Sequence, residues 1–134
     1  MKANELMIFD LVRRKKDNRT MIVVDVGYDE NIGAITTDDR FYGDFEDYHE
    51  TQVEPIPITP EFLEKNGFIR GELKTAKELI CGTKHICYGF YPDCLSISDW
   101  ADDGDCQISS LKCLYVHDLQ HALKLCRIDK EIEL

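Results

Sequence analysis

Glu54-Pro55-Ile56-Pro57-Ile58-Thr59-Pro60 is the stretch on which the reading of the fold turns. Two prolines two residues apart keep the backbone extended, so the alternate Ile56 and Ile58 can point to one face. Thr59 has the chemistry of a helix N-cap, Pro60 suits the first helical position, and Glu61 complements the helix dipole. A short helix over Pro60–Lys65 is therefore predicted, stopped by Asn66-Gly67 and anchored by Phe62, Leu63 and Phe68. The stretch divides a β-rich N-terminal part, 1–54, from an α+β part, 61–134, with 55–60 as the junction. Two subdomains or one compact domain would both satisfy this division.

Upstream, Asp10-Leu11-Val12-Arg13-Arg14-Lys15-Lys16 leads into the polar turn Asp17-Asn18, and Thr20-Met21-Ile22-Val23-Val24-Asp25-Val26-Gly27 follows. A β-branched run between a polar turn and a glycine reads as a hairpin. Ile32-Gly33-Ala34-Ile35-Thr36-Thr37 reads as a third strand. Strands this short and closely spaced predict a small, curled, antiparallel, barrel-like sheet. Residues 38–54 are acidic and aromatic, and are read as a loop with one further short strand.

Downstream, residues 72–80 contain good helix formers, although Gly82-Thr83 follows closely. Residues 84–90, 94–98 and 106–112 read as strands of a second antiparallel sheet. In 114–126, Tyr115, Val116, Leu119, Ala122, Leu123 and Cys126 fall in one stripe at helical spacing, which predicts a C-terminal helix. Ile128-Asp129-Lys130-Glu131-Ile132-Glu133-Leu134 alternates as a closing edge strand would. The expected class is α+β: a barrel-like first sheet, a short helix, a second antiparallel sheet and a C-terminal helix.

Composition narrows the functions. The chain has 134 residues, 43% hydrophobic and 31% charged, which is globular rather than disordered. Its formal charge is −10, with 7 basic against 13 acidic residues up to Ile58 and 9 against 13 after it. Negative charge spread in this way opposes binding to phosphate backbones. Met1-Lys2-Ala3-Asn4-Glu5-Leu6-Met7-Ile8-Phe9-Asp10 has no apolar run of signal-peptide length, and no stretch approaches the ~18 apolar residues of a membrane span. A cytoplasmic location and no membrane partner are expected. Cys81, Cys87, Cys94, Cys106, Cys113 and Cys126 contain no C-x-x-C pair and are expected to be reduced thiols.

Three phrases, in order, carry a resemblance. Asn4-Glu5-Leu6 with Asp10-Leu11-Val12, then Ile56-Pro57-Ile58-Thr59-Pro60-Glu61-Phe62-Leu63-Glu64-Lys65-Asn66-Gly67-Phe68, then Tyr115-Val116-His117-Asp118-Leu119-Gln120 span nearly the whole chain. Together they resemble a family of small uncharacterised proteins of Bacteroides-group gut bacteria and their phages or mobile elements. That family opens on N-x-L-x-I-G-N-x-V, continues with I-P-L-T-x-E-x-L-x-x-x-G-F and closes with Y-V-H-x-L-Q-N on a terminal helix. Phe9 stands where the family often has glycine, and His121 where it often has asparagine. The resemblance implies a bacterial or phage origin and carries no activity.

Several motifs invite a chemical reading. His117-Asp118-Leu119-Gln120-His121 sets two histidines at i and i+4, the spacing of zinc-binding H-E-x-x-H helices. Asp118 replaces the glutamate base with a side chain one methylene shorter, and no third ligand is evident. At about 100° per residue, both histidines should project away from the stripe through Leu119. His117 and His121 are thus weak metal candidates. Asp99-Trp100-Ala101-Asp102-Asp103-Gly104-Asp105 resembles a calcium loop, but Ala101 and Ser110 occupy its third and twelfth positions, so a solvated turn is the better reading. His85 between Cys81 and Cys87 lacks the context of a nucleophilic thiol. The basic cluster Arg13-Arg14-Lys15-Lys16 with Arg19 reads as a solvated strand face that discourages edge pairing.

Phe41, Tyr42, Phe45 and Tyr48 interleave with Asp38, Asp39, Asp44, Glu46 and Asp47. If exposed, Phe41, Tyr42, Asp44, Phe45, Glu46, Asp47 and Tyr48 form an interaction surface for a basic protein partner. The competing reading is that half the rings cap the first sheet. The expected function is a non-enzymatic protein-interaction module with no catalytic residues and no cofactor. An acidic mimic of nucleic acid is the second reading, and a metal-dependent hydrolase on His117 and His121 the third.

Overall fold

The computed structural model describes residues 1–27, 30–37, 45–70, 76–90, 93–99 and 106–134, leaving aside the side chains of 99 and 106–111. The chain divides into two units, Met1–Ile56 and Pro57–Leu134.

The first unit is a five-stranded antiparallel sheet: β1 Leu11–Arg14, β2 Thr20–Val26, β3 Asn31–Thr36, β4 Glu46–His49 and β5 Val53–Glu54. Its spatial order is β4-β3-β2-β1-β5. The pairings Val12↔Met21, Val23↔Ala34 and Ile32↔Tyr48 set apolar side chains on one face. With Ala3, Leu6 and Val53 these residues form the buried core.

Consecutive strands β4 and β5 lie at opposite edges, which dictates the sheet's curvature. His49 and Val53 are four peptide steps apart, at most about 14 Å of chain. Four flat inter-strand spacings would need about 19 Å. The sheet must therefore curl, as its short strands predict, yet it is open rather than closed into a barrel. Both residues of β5 pair with β1, Arg13↔Glu54 and Arg14↔Val53, and a 3-10 turn over Glu50–Gln52 carries the chain out of β4.

A tight turn precedes β1. The Asp10 amide donates to the Met7 carbonyl at 3.1 Å, and Phe9 has φ 76°. Positive φ at the third position of such a turn favours glycine, so Phe9 holds a backbone conformation that L side chains rarely adopt.

The second unit contains α1 Pro60–Lys65, β6 Ile69–Arg70, β7 Ala76–Cys81, β8 Lys84–Gly89, β9 Cys94–Asp99, β10 Cys106–Lys112 and α2 Val116–Leu125. Its strands form a meander in the order β10-β9-β8-β7-β6. The Thr59 hydroxyl accepts from the Phe62 amide at 3.2 Å, and Gly67 ends the turn with φ 89°. The helix formers of 76–80 lie in a strand. Gly82 at φ 61° and Thr83 make a two-residue hairpin loop between Cys81 and Lys84, and ladder pairing with β8 overrides local propensity.

Ile86↔Ile97 and Tyr88↔Leu95 line the buried face of this sheet. The buried residues of α2 include Val116, Leu119, Ala122 and Leu123. The Lys84 ammonium donates to the Cys126 carbonyl, and the Tyr88 hydroxyl donates to the Cys113 carbonyl at 2.6 Å. Residues 128–134, expected as an edge strand, form none. The Asn66 side chain instead takes both backbone groups of Glu133, donating to its carbonyl at 2.7 Å and accepting from its amide at 2.8 Å. Ile128 and Ile132 are buried with it.

Candidate functional site

The pleat of β4 sorts the aromatic and acidic residues onto two faces. Tyr48 pairs with Ile32 and Glu46 with Ala34, on the core side. Asp47 faces the other way, and Phe45 lies against Gly33: a Cβ added there would fall 2.5 Å from the Phe45 ring. Gly33 is thus a seat for an aromatic ring that remains 41% exposed. Phe41, Tyr42 and Asp44, with Asp38 and Asp39, lie outside the described residues. Phe45, Glu46 and Asp47 are exposed, whereas Tyr48 is buried.

Tyr48 joins the acidic strand to the basic turn between β1 and β2. Its hydroxyl accepts from Arg14 Nη1 at 2.9 Å and donates to Glu46 Oε2 at 2.9 Å. Arg14 also holds Asp17 with two bonds, Nε to Oδ1 at 2.9 Å and Nη2 to Oδ2 at 2.6 Å. The bidentate pair has the fork geometry that fixes a guanidinium in place. The hydrogen bond to Arg14 lowers the Asp17 carboxyl to about 2. Burial raises the Tyr48 phenol, with Arg14 opposing and Glu46 reinforcing the shift.

An open cavity of about 310 Å³ lies beside this network, lined by Arg14, Lys15, Lys16, Tyr48 and Gln52. The Lys15 amide donates to the Gln52 carbonyl at 3.0 Å, which ties the β1–β2 turn to the 3-10 turn. Gln52 spends its side-chain carbonyl on the His49 amide at 2.8 Å. The basic cluster, read from sequence as a solvated face, thus supplies three walls of a cavity. Alternation within 45–48 and the spacing of 13–16 were visible; their meeting depended on the β1–β5 and β3–β4 registers.

In the second unit, His117 departs from expectation. It is buried at 3% exposure rather than projecting outward. Its ring stacks on Tyr115 with centroids 5.8 Å apart, and meets His121 edge-on at 5.7 Å. Leu114 accepts from the Ile58 amide and Tyr115 bridges Pro57, so the incoming chain encloses the first turn of α2 more than a bare helical wheel allows. Asp118 caps that turn, accepting from the Tyr115 amide at 3.1 Å. Among the described residues, no three His, Cys, Asp or Glu side chains gather as a metal-ligating group. The calcium-like stretch 100–105 lies outside the described residues.

A smaller cavity of about 170 Å³ is lined by residues that include Cys113, Asp118 and His121. Burial pushes the Cys113 thiol up to about 12, with Asp118 and Asp93 adding to the shift. A thiol so protonated is a packing group rather than a nucleophile. Cys81, Cys87 and Cys94 also carry thiols rather than disulfides. Among the described residues, no helix is long and apolar enough to cross a membrane. Comparison with protein-family models, with curated proteins and with solved structures finds no match.

Proposed function

We propose that this chain is a non-catalytic protein-interaction module whose binding edge is β4. The observation that supports this reading is an exposed aromatic ring seated on Gly33, on the face of exposed Asp47, where the chain enters the terminal strand β4. A terminal strand offers backbone groups to an added strand. Phe45 supplies an aromatic anchor, and the Asp47 carboxylate favours a basic neighbour on the incoming segment. The partner is therefore a protein with a basic, extended segment. On the three sequence phrases alone, the host is a Bacteroides-group bacterium or one of its phages or mobile elements.

A mimic of nucleic acid is less favoured, because Asp17, Glu46, Glu50 and Glu64 are engaged by groups of this chain. Affinity capture from the host, with the wild type and a Phe45→Ser/Asp47→Lys variant as baits, tests the proposal. A basic protein held by the wild type and lost by the variant supports it. Equal retention by both baits removes β4 as the binding edge.

A further inference from the structure

We infer that the cavity lined by Arg14, Lys15, Lys16, Tyr48 and Gln52 binds the phosphate group of a small phosphate monoester. Among the described residues the lining holds three cations, the Gln52 amide and no carboxylate, while the Tyr48 hydroxyl is committed as a donor to Glu46. Arg14 is held by Asp17 and Tyr48 through three of its five N–H groups, leaving two to donate from a fixed guanidinium. Asp17 already balances the Arg14 charge. The ammonium groups of Lys15 and Lys16 form no ion pair among the described residues, and both side chains are exposed. Two positive charges without an ion-pair partner among the described residues match the near-dianion of a phosphate monoester at neutral pH. Gln52 commits its carbonyl to the His49 amide, so its NH2 group remains as a further donor.

Size and charge narrow the ligand class. A volume of about 310 Å³ lies at the lower end of the small-molecule range. The Tyr48 ring and the two lysine stems supply apolar walls for the organic part. A long polyanion would meet the field of a chain carrying −10. A small anion is governed by charges within a screening length of about 8 Å; among the described residues Arg14, Lys15 and Lys16 stand there against Asp17 and Glu46. This selects a small phosphate ester over a nucleic acid.

The test is calorimetric titration of the full chain with inorganic phosphate, a hexose phosphate and a nucleoside 5′-monophosphate. Wild type is compared with Lys15→Gln/Lys16→Gln and with Arg70→Gln, an exposed control in the second unit. Saturable binding that weakens about ten-fold or more in the double variant, with the control unchanged, supports the site. Tighter binding of an ester than of the free ion assigns the site to esters; equal binding assigns it to the ion. No saturable binding at millimolar ligand, or equal weakening by Arg70→Gln, overturns the inference. Both lysines are exposed, so the double variant should fold; unchanged amide resonances away from residues 14–19 establish that. Partner capture on β4 is read separately, so either proposal can fail alone.

Discussion

Replacing Tyr48 by phenylalanine removes a single oxygen and leaves the ring in the core, which isolates the link between β1 and β4. Two hydrogen bonds are lost, one from Arg14 and one to Glu46, each 2.9 Å long. An ordinary hydrogen bond contributes about 1 kcal/mol net, and one to a charged group about 1.5–3. Glu46 is exposed, so solvent screening holds its bond to the lower figure. Arg14 keeps its bidentate hold on Asp17, which limits the secondary damage. Tyr48→Phe should therefore cost about 2.5–4 kcal/mol.

The loss should concentrate in the β1–β2 turn. Its amides are closed by Arg14 donating to Arg19 and Asn18 donating to Arg14, both at 2.8 Å. Native-state hydrogen exchange reads them directly. Protection at Arg14 and Asn18 should fall about ten-fold for each 1.4 kcal/mol, with α2 amides unchanged. A stability change within about 0.5 kcal/mol, the size of an inconsequential surface substitution, together with unchanged protection in the turn, would refute the idea that Tyr48 braces the cavity wall.

Other groups give independent tests. The Asp17 carboxyl ordinarily titrates near 3.8 and lies at about 2 in the folded chain. Its lowered folded value means that its stabilisation is present above the unfolded value and is lost as pH falls from about 4 to 2; a carboxyl NMR titration checks this, and Asp17→Asn should remove that part of the acid sensitivity. Asn66→Ala deletes three hydrogen bonds, to the Phe62 carbonyl and to both backbone groups of Glu133. It should cost about 2–4 kcal/mol in urea denaturation and expose the Glu133 amide to exchange. Cys113, whose thiol is pushed up to about 12, should resist a thiol reagent at pH 8 in the folded chain and react once urea unfolds it, as mass spectrometry of the labelled peptides would show.

What the sequence disclosed followed the range of the interactions involved. The α1 boundaries were legible because Thr59, Pro60 and Gly67 act on their own backbone neighbours. The first hairpin was legible for the same reason, through Asp17-Asn18 between two β-branched runs. Ala76–Cys81 was not, because Ala, Lys, Glu and Leu favour a helix until a partner strand is supplied by the Gly82-Thr83 loop. The C-terminal residues misled in the opposite sense: alternation of charge and apolar character fits a strand, but Asn66, 67 residues away from Glu133, takes the backbone groups a ladder would need. His117 was assigned outward from helical angles alone, which ignore the chain that enters α2 across Pro57.

The candidate site follows the same rule. The basic run 13–16 and the aromatic–acidic run 41–48 were each visible as composition. Nothing local said that β5 would pair with β1, or that a 3-10 turn would carry Gln52 to Lys15. The juxtaposition of Tyr48 with Arg14 is a long-range consequence of strand order. It divides one expected surface into an outward edge bearing Phe45 and Asp47 and a cationic cavity braced by Tyr48.

The central claim is that β4 is the binding edge for a protein partner, and amide chemical-shift mapping with a purified captured partner tests it most directly. The account predicts perturbations concentrated in residues 45–49 and in the paired residues Asn31, Ile32, Gly33 and Ala34 of β3. Perturbations confined to α2 and the second sheet, with β3 and β4 unmoved, would contradict it.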